Sequence, residues 1–466
     1  MHAGPSGISV VKFAAFAFAH RRRGMACWTS EGTESIMRTT WRRTNGVRRR
    51  WPALLLVVIV MTSILAACGG GSTPATVAPT SQPTAPTSPS AAPSSAPTPT
   101  RAAVAPTTAA PRTSTATSRP LTQQITTTFP ARVAGLDYGM NVWLPTADMD
   151  RTLDLMTGAG FGWARQWISW ESVEPTQGSY SWDTLDKVVA AAERKNVKLM
   201  LILLRAPAWA APKGGIPQDK QLYARFVSTV ATRYKNRVAA YESWNESNLA
   251  GETGGTVNVA EYAELLKAAF PAIKAADPNA IVVYGGLTPT GENNPALAID
   301  DAIYLKQSYA YNNGEIKKYF DVLGVHATGT LNPPENYFPE NPGPGPGYFD
   351  NRSFYFRRAE DLRKVMEDAG DGQKQIWLTE FGWTTKNAAK GYEYGQYISE
   401  EDQAKYLVRA YDWAKQNWPW VGVMFLWNLN FSTVSPPTDE KTPWSIINAD
   451  YSPRPAYDAI KKMPKR

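Results

Sequence analysis

Cysteine and histidine are almost absent from this chain of 466 residues, which holds two of the first and three of the second. Both cysteines, Cys27 and Cys68, fall within residues 1–68. The remainder therefore has no disulfide and no thiolate chemistry, and a large core must supply its stability. His326 is the single histidine after His20. That excludes a His-rich metal site, and a Ser-His-Asp triad would have to use this one residue. The pattern G-x-S-x-G does not occur, and "GAGFG" (158–162) precedes a strand-like run instead of following one, the wrong context for a dinucleotide. A charge excess is also missing from the body. Lys12, Arg21 to Arg23, Arg38, Arg42, Arg43 and Arg48 to Arg50, set against Glu31 and Glu34, account for the whole formal net charge of +8. The basic balance thus belongs to the first 68 residues and gives no support for nucleic-acid binding by the rest.

Those 68 residues have their own pattern. A charged stretch, "RRTNGVRRRW" (42–51), leads into the apolar run "PALLLVVIVMTSILAAC" (52–68), the arrangement of a secretory signal. Leu65-Ala66-Ala67-Cys68 resembles a bacterial lipobox, which implies cleavage before Cys68 and a lipid on its sulfur. Uncleaved, the run is just long enough to span a bilayer. Either way the body is expected outside the cytoplasm, on the cell surface, touching the membrane only through its N-terminal anchor. Residues 69–128 are dominated by Gly, Ser, Thr, Pro and Ala. Such a segment cannot offset its ordering entropy and reads as a disordered tether.

From residue 129 to 466 one body is expected. Apolar, strand-like runs recur at 133–142, 161–169, 197–204, 238–245, 280–286, 320–327, 375–382 and 421–428, and each is followed by a segment able to hold a helix. "AEYAELLKAAFPAIKAADP" (260–278) is the clearest of these, with apolar residues at helical spacing. Near-continuous runs such as Leu199 to Leu204 suit strands buried on both faces, and βαβ alternation implies a parallel sheet. Eight units predict a (β/α)8 TIM barrel, with an open doubly wound sheet as the alternative. In a barrel, functional residues sit at the C-terminal strand ends.

Polar residues do gather at those ends: Arg165 on the second strand, Asn245 and Glu246 after the fourth, His326 at the sixth, Glu380 at the seventh, with Trp427 at the eighth. Taken singly, a Glu there could cap a helix and Arg165 could pair with any carboxylate. "WNESN" (244–248) resembles the Trp-Asn-Glu-Pro-Asn motif that ends the fourth strand in clan A glycoside hydrolases. "LTEFGW" (378–383) resembles the nucleophile segment of their seventh strand, and the rhythm of 167–210 is similar to families 5 and 39. The resemblance implies Glu246 as general acid/base, Glu380 as nucleophile and Asn245 as a ligand of the sugar 2-hydroxyl. Arg165 would hold Glu380 ionised, and His326 and Trp427 would meet the substrate. Three positions depart from the relatives: Ser247 replaces the motif's Pro, Thr328 stands where a Tyr is common, and "RAPAW" (205–209) lacks a frequent His.

Cleaving a glycosidic bond needs a proton for the leaving oxygen and a carboxylate facing the oxocarbenium-like centre. Unequal surroundings must keep one carboxyl protonated and the other ionised. Strand alternation points Asn245 and Glu246 to opposite faces, so both reach one site only if the strand end bends. Glu242 lies roughly 13 Å deeper than Glu246 and is expected to be structural. Among the aromatics, Trp427 is expected as the sugar floor, followed by Trp209 and Trp383. Trp143, Trp163, Trp167, Trp170 and Trp444 suit core or site equally. The expected activity is retaining hydrolysis of a β-linked poly- or oligosaccharide by a monomer without metal or cofactor. The alternative is a surface barrel that binds sugar without cleaving it.

Overall fold

The computed structural model describes residues 133–343 and 348–465. The signal run, Cys68 and the 69–128 tether lie outside the described residues.

Eight parallel strands close into a barrel: β1 (Asp137–Asn141), β2 (Trp163–Ser169), β3 (Lys198–Leu204), β4 (Ala240–Ser243), β5 (Ile281–Leu287), β6 (Val322–His326), β7 (Ile376–Phe381) and β8 (Val421–Leu426). They lie in sequence order around the ring, with β8 closing on β1. A helix follows each strand: α1 (Met149–Gly158), α2 (Asp183–Arg194), α3 (Lys220–Arg233), α4 (Val259–Ala276), α5 (Asp301–Ala310), α6 (Arg358–Asp368), α7 (Glu400–Asn417) and α8 (Pro455–Lys462). The predicted (β/α)8 barrel is the observed fold, and the open sheet is not. Helix starts use local chemistry. Ser399 and Asp402 form a reciprocal capping box on α7, and the Asn258 side chain caps α4. Among the described residues no helix is long and apolar enough to cross a membrane.

Period-two alternation sets what fills the barrel. Trp163, Met200, Ala240, Val283, Val322, Trp377, Val423 and Phe425 form an apolar plug within the ring. Gly139 makes room in it, since a Cβ there would stand 2.4 Å from the Phe425 ring. Two residues farther along the same parity come Arg165 on β2 and Glu242 on β4, both fully buried. His326 and Trp427 follow the same rule at the ends of β6 and β8. The lower barrel is therefore packed with apolar side chains and its C-terminal mouth is polar, which puts the chemistry on the face that carries the βα loops.

Candidate active site

Arg165 is the hub of this face. Its Nε donates to Glu242 Oε2 (2.7 Å) and Nη2 to Glu242 Oε1 (3.1 Å), a bidentate pair. Nη1 donates to Asn141 Oδ1 (2.7 Å) and Glu380 Oε1 (2.6 Å), and Nη2 also to Asn245 Oδ1 (3.0 Å). All five guanidinium N–H groups are thus used without solvent. Burial works against its charge, but Glu242 and Glu380 outweigh that and raise its pKa. Glu242 also accepts from the Gly286 backbone N–H (2.9 Å). It holds the arginine in place beneath the site, the structural part expected of it.

The bend demanded after β4 is present. Trp244 (φ 70°) and Glu246 (φ 42°) both adopt left-handed backbone, which breaks the alternation and brings Asn245 and Glu246 to one cavity. Without the relatives' Pro, neighbouring backbone supplies the support. Glu246 N–H donates to the Gly286 carbonyl (3.0 Å), and Trp244 N–H to that of Leu203 (3.1 Å). Asn248 ties down the loop after β5 by donating to the carbonyls of Thr288 (2.7 Å) and Ile299 (2.8 Å). Thr288 lines the same cavity as the Glu246 carboxylate. Two glycines permit this closeness. A Cβ on Gly285 would stand 2.7 Å from the Trp244 carbonyl oxygen, and one on Gly286 would stand 2.3 Å from His326 Nε2. Gly286→Ala is expected to cost about 1–3 kcal/mol, the usual penalty for overpacking. It should lower turnover in the folded fraction by displacing His326. Denaturant unfolding alongside kcat checks both.

Glu380 reaches the same cavity through a different irregularity. The β6–β7 register shifts by one residue between Val325, opposite Leu378, and His326, opposite Glu380. That extra residue on β7 turns Glu380 inward although Leu378 has its parity. His326 then stands between the two glutamates, with Nδ1 2.9 Å from Glu246 Oε1 and Nε2 3.7 Å from Glu380 Oε1. Burial lowers the imidazole pKa, against the pull of Glu380, and so favours the neutral ring. Its Nδ1 can donate to an ionised Glu246 or accept from a protonated one. Burial pushes Glu246 up to about 7; Thr288 and Arg165 oppose this and Glu242 adds to it. Burial also raises Glu380, against the pull of His326 and Arg165 and with a push from Glu246. Arg165 therefore offsets the desolvation of Glu380 without overcoming it.

Around these groups lies a cavity of about 200 Å³. Asn245, Glu246, His326, Glu380 and Trp427 all line it, and Arg165 sits just beneath. Trp427 stacks on Trp167 (centroids 5.5 Å apart, 24° between planes) and meets Phe431 at 5.0 Å. Two of the expected sugar-contacting tryptophans are elsewhere. Trp383 is fully buried and donates its indole N–H to the Asn332 carbonyl (3.0 Å), wedged beside Phe356 and Tyr406. Trp209 packs edge-on against Trp170 and donates to the Glu174 carbonyl (3.2 Å). Neither lines the cavity, because each indole is taken up by a loop carbonyl that fixes it away from the mouth.

A sequence model of the cellulase family, glycosyl hydrolase family 5, matches residues 125–431. The chain belongs to glycosyl hydrolase family 5. Endo-1,4-beta-xylanase 3 of Hypocrea jecorina is 29% identical over 122 residues, which cover 24% of this chain and 34% of that protein. This chain thus matches about a third of the length of its curated relatives. A family 39 glycoside hydrolase from the gut symbiont Bacteroides cellulosilyticus WH2 superposes with a TM-score of 0.54 at 22% identity, covering 71% of this chain and 63% of that one. GH5_18 from Streptomyces cattleya, solved in complex with GlcNAc, gives a TM-score of 0.51 at 14% identity, covering 71% and 80%. At these identities the structural likeness is one of fold.

This family 5 chain also lines its cavity with residues that strand-end reasoning does not find: Arg205, Glu252, Tyr392, Tyr394, Glu440 and Lys441. All six come from βα loops, where no periodic pattern marks a side chain's direction. Arg205 carried one signal, as the polar head of "RAPAW", and its left-handed backbone (φ 60°) marks it in the structure. Among the described residues, Glu246, His326 and Glu380 form the one group whose ligand atoms lie close enough, within 4.8 Å, to hold a metal ion. A cation there would compete with the Arg165 guanidinium for Glu380 and with the imidazole for Glu246.

Proposed function

We propose that this family 5 chain hydrolyses β-linked oligo- or polysaccharide with retention of configuration, Glu380 acting as nucleophile and Glu246 as acid/base. The observation that carries the reading is the separation of the two carboxylates. Their nearest oxygens lie within 4.8 Å, with His326 between them. Retaining enzymes hold the pair about 5–5.5 Å apart, whereas inverting ones need about 6.5–9.5 Å to admit a water.

In the first step the Glu380 carboxylate attacks the anomeric carbon as Glu246 gives its proton to the leaving oxygen. A glycosyl ester forms on Glu380. Glu246, now ionised, takes a proton from water as that water attacks the same carbon and frees Glu380. Two inversions give retention. Arg165 neutralises Glu380 while it is ionised and fixes the oxygen that it bonds. Its Nη2 also donates to Asn245 Oδ1, which leaves Asn245 Nδ2 for the sugar 2-hydroxyl. Trp427, stacked on Trp167, offers a flat floor for the ring.

Glu246 must be protonated at the start, so kcat/KM is expected to fall as pH rises through about 7. On the acid side it falls as Glu380 takes up its proton, at a pH above the usual carboxylate range. Glu246→Ala should erase the basic limb. It should slow glycosides of poor leaving groups by about 10²–10⁴-fold and those of dinitrophenol far less, since that leaving group needs no proton. A pH–rate series on aryl β-glycosides of graded leaving ability measures this. An unchanged basic limb in Glu246→Ala would remove it from the acid role.

The signal-like sequence of residues 42–68 and the lipobox-like Cys68 support a further part of the proposal. The barrel would act outside the cytoplasm, tethered to the membrane surface through residues 69–128, as a monomer.

A further inference from the structure

The group formed by Glu246, His326 and Glu380 has a property that hydrolysis does not call on. Its three donor atoms, two carboxylate oxygens and one imidazole nitrogen, lie within 4.8 Å of one another. His326 is 1% exposed, and its Nε2 has no hydrogen-bond partner among the described residues. Buried polar atoms are rarely left so. Glu380 Oε1, at 3.7 Å, is too far away to be that partner. A neutral imidazole has one N–H and one bare nitrogen. When Nδ1 donates to Glu246 Oε1, 2.9 Å away, the lone pair falls on Nε2. Two electron-rich atoms, Nε2 and Glu380 Oε1, then stand side by side with no proton between them.

Their spacing is that of two ligands of one ion. Metal bonds of about 2.0–2.2 Å to nitrogen and oxygen, at the angles of a distorted tetrahedron, place the ligand atoms about 3.3–3.7 Å apart. Space for an ion exists because residue 286 is glycine. A Cβ there would stand 2.3 Å from His326 Nε2 and 2.4 Å from Thr379 Oγ1, so its absence leaves a gap between the imidazole and a hydroxyl. The two glutamates match a dication in charge. Arg165, bonded to Glu380 Oε1 at 2.6 Å, is the cation that opposes it. One imidazole and two carboxylates suit borderline ions such as Zn²⁺ and Cu²⁺. Ca²⁺ asks for a larger shell of oxygens, and Mg²⁺ keeps its own waters.

We propose that Glu246, His326 and Glu380 form a reversible inhibitory site for a transition-metal dication of the Zn²⁺ and Cu²⁺ kind. The ion is not a cofactor. It takes the nucleophile and the acid/base together, so the metal-bound chain has neither free, and sugar and ion exclude each other. Binding of the ion stands apart from the hydrolase reading above; only the inhibition rests on it.

The test titrates the full chain with Zn²⁺ alone by calorimetry, then measures kinetics on an aryl β-glycoside with and without the ion. His2, His20, Cys27 and Cys68 also offer ligands in the first 68 residues, so the quantity that decides is the binding that substitutions in the barrel remove. His326→Asn and Glu380→Gln are each expected to weaken it by about tenfold or more, a loss that even an outer partner of a metal site commonly causes. A variant that fails to fold leaves the other to report. In the wild type, Zn²⁺ should raise KM with kcat unchanged and EDTA should reverse this, while Ca²⁺ and Mg²⁺ leave both constants alone. Equal Zn²⁺ affinity in the wild type and both variants, or inhibition that lowers kcat with KM unchanged, overturns the site. If the wild type cleaves no aryl glycoside, the hydrolase reading fails and the calorimetric comparison still decides the metal site.

Discussion

Glu380→Ala is expected to lose about 10⁴-fold or more in kcat, the scale seen when a covalent nucleophile is removed. Sodium azide should restore turnover, and the stereochemistry of its product carries the information. The small anion fits where the carboxylate was and attacks the anomeric carbon from the same side. One displacement then occurs in place of two, so the product is the α-glycosyl azide, inverted relative to the substrate. The geometry explains why the vacancy is usable. Removing Glu380 leaves the Arg165 Nη1 donor, 2.6 Å from the missing oxygen, still held by Asn141 at 2.7 Å. A preorganised cationic donor aimed into a site largely closed to solvent is a place for an anion. Azide in a Glu246→Ala background would occupy the other side of the sugar and give the β-glycosyl azide. The two products separate the two roles, and NMR of the isolated azides distinguishes them.

Arg165→Met should be damaging in two distinct ways. The first is to stability. Arg165 and Glu242 are both fully buried, and the substitution leaves Glu242 with only the Gly286 N–H and no counter-charge. Breaking a buried pair from one side costs about 3–5 kcal/mol, which a denaturant titration would register as a fall in midpoint. The second is to function. Burial already raises the Glu380 pKa, and the guanidinium is one of the two groups that oppose this. Without it Glu380 should rise further, so the acid limb of kcat/KM moves to higher pH and less of the nucleophile is ionised near neutrality. Asn245 would also lose the partner of its carbonyl oxygen. A merely structural arginine would lower the folded fraction and leave the acid limb where it is. The pH profile of the surviving activity therefore separates the two effects.

How much of this was legible in the residues follows from what each feature depends on. The eight strands were readable because parallel strands covered on both faces become unbroken apolar runs, as Leu199 to Leu204 do. The site's centre was readable because polar side chains at strand ends stand out against such runs; Arg165, Asn245, Glu246, His326, Glu380 and Trp427 converge as expected. Alternation alone showed that β4 must bend, but not how. The bend comes from left-handed Trp244 and Glu246 backed by Gly285 and Gly286, on the neighbouring strand. Ser247 contributes no ring constraint and none is needed. The β7 bulge that turns Glu380 inward left no mark in "LTEFGW". Trp383 and Trp209 were misplaced because position along a strand does not determine where a loop indole turns. Trp383 is captured by the Asn332 carbonyl from another loop and fits because Gly329 has no Cβ in its way. Tyr392, Tyr394, Glu440 and Lys441 lie on loops shaped by tertiary contacts, such as the Asn387 bond to the Glu440 carbonyl.

The central claim is that two carboxylates act in turn on one anomeric carbon, with Glu380 covalently bound in between. The direct test uses a 2-deoxy-2-fluoro β-glycoside bearing a dinitrophenyl leaving group, built on whichever glycone the wild type cleaves fastest. The fluorine destabilises both oxocarbenium-like transition states, while the good leaving group keeps formation of the ester fast enough for it to accumulate before its slow release. Mass spectrometry of the intact chain and of its peptides then reads the result. Stoichiometric mass gain of one fluoroglycosyl unit on the peptide carrying Glu380, with loss of activity in step, is the predicted outcome. A label on any other residue, or full inactivation-free turnover with inverted product, would contradict it.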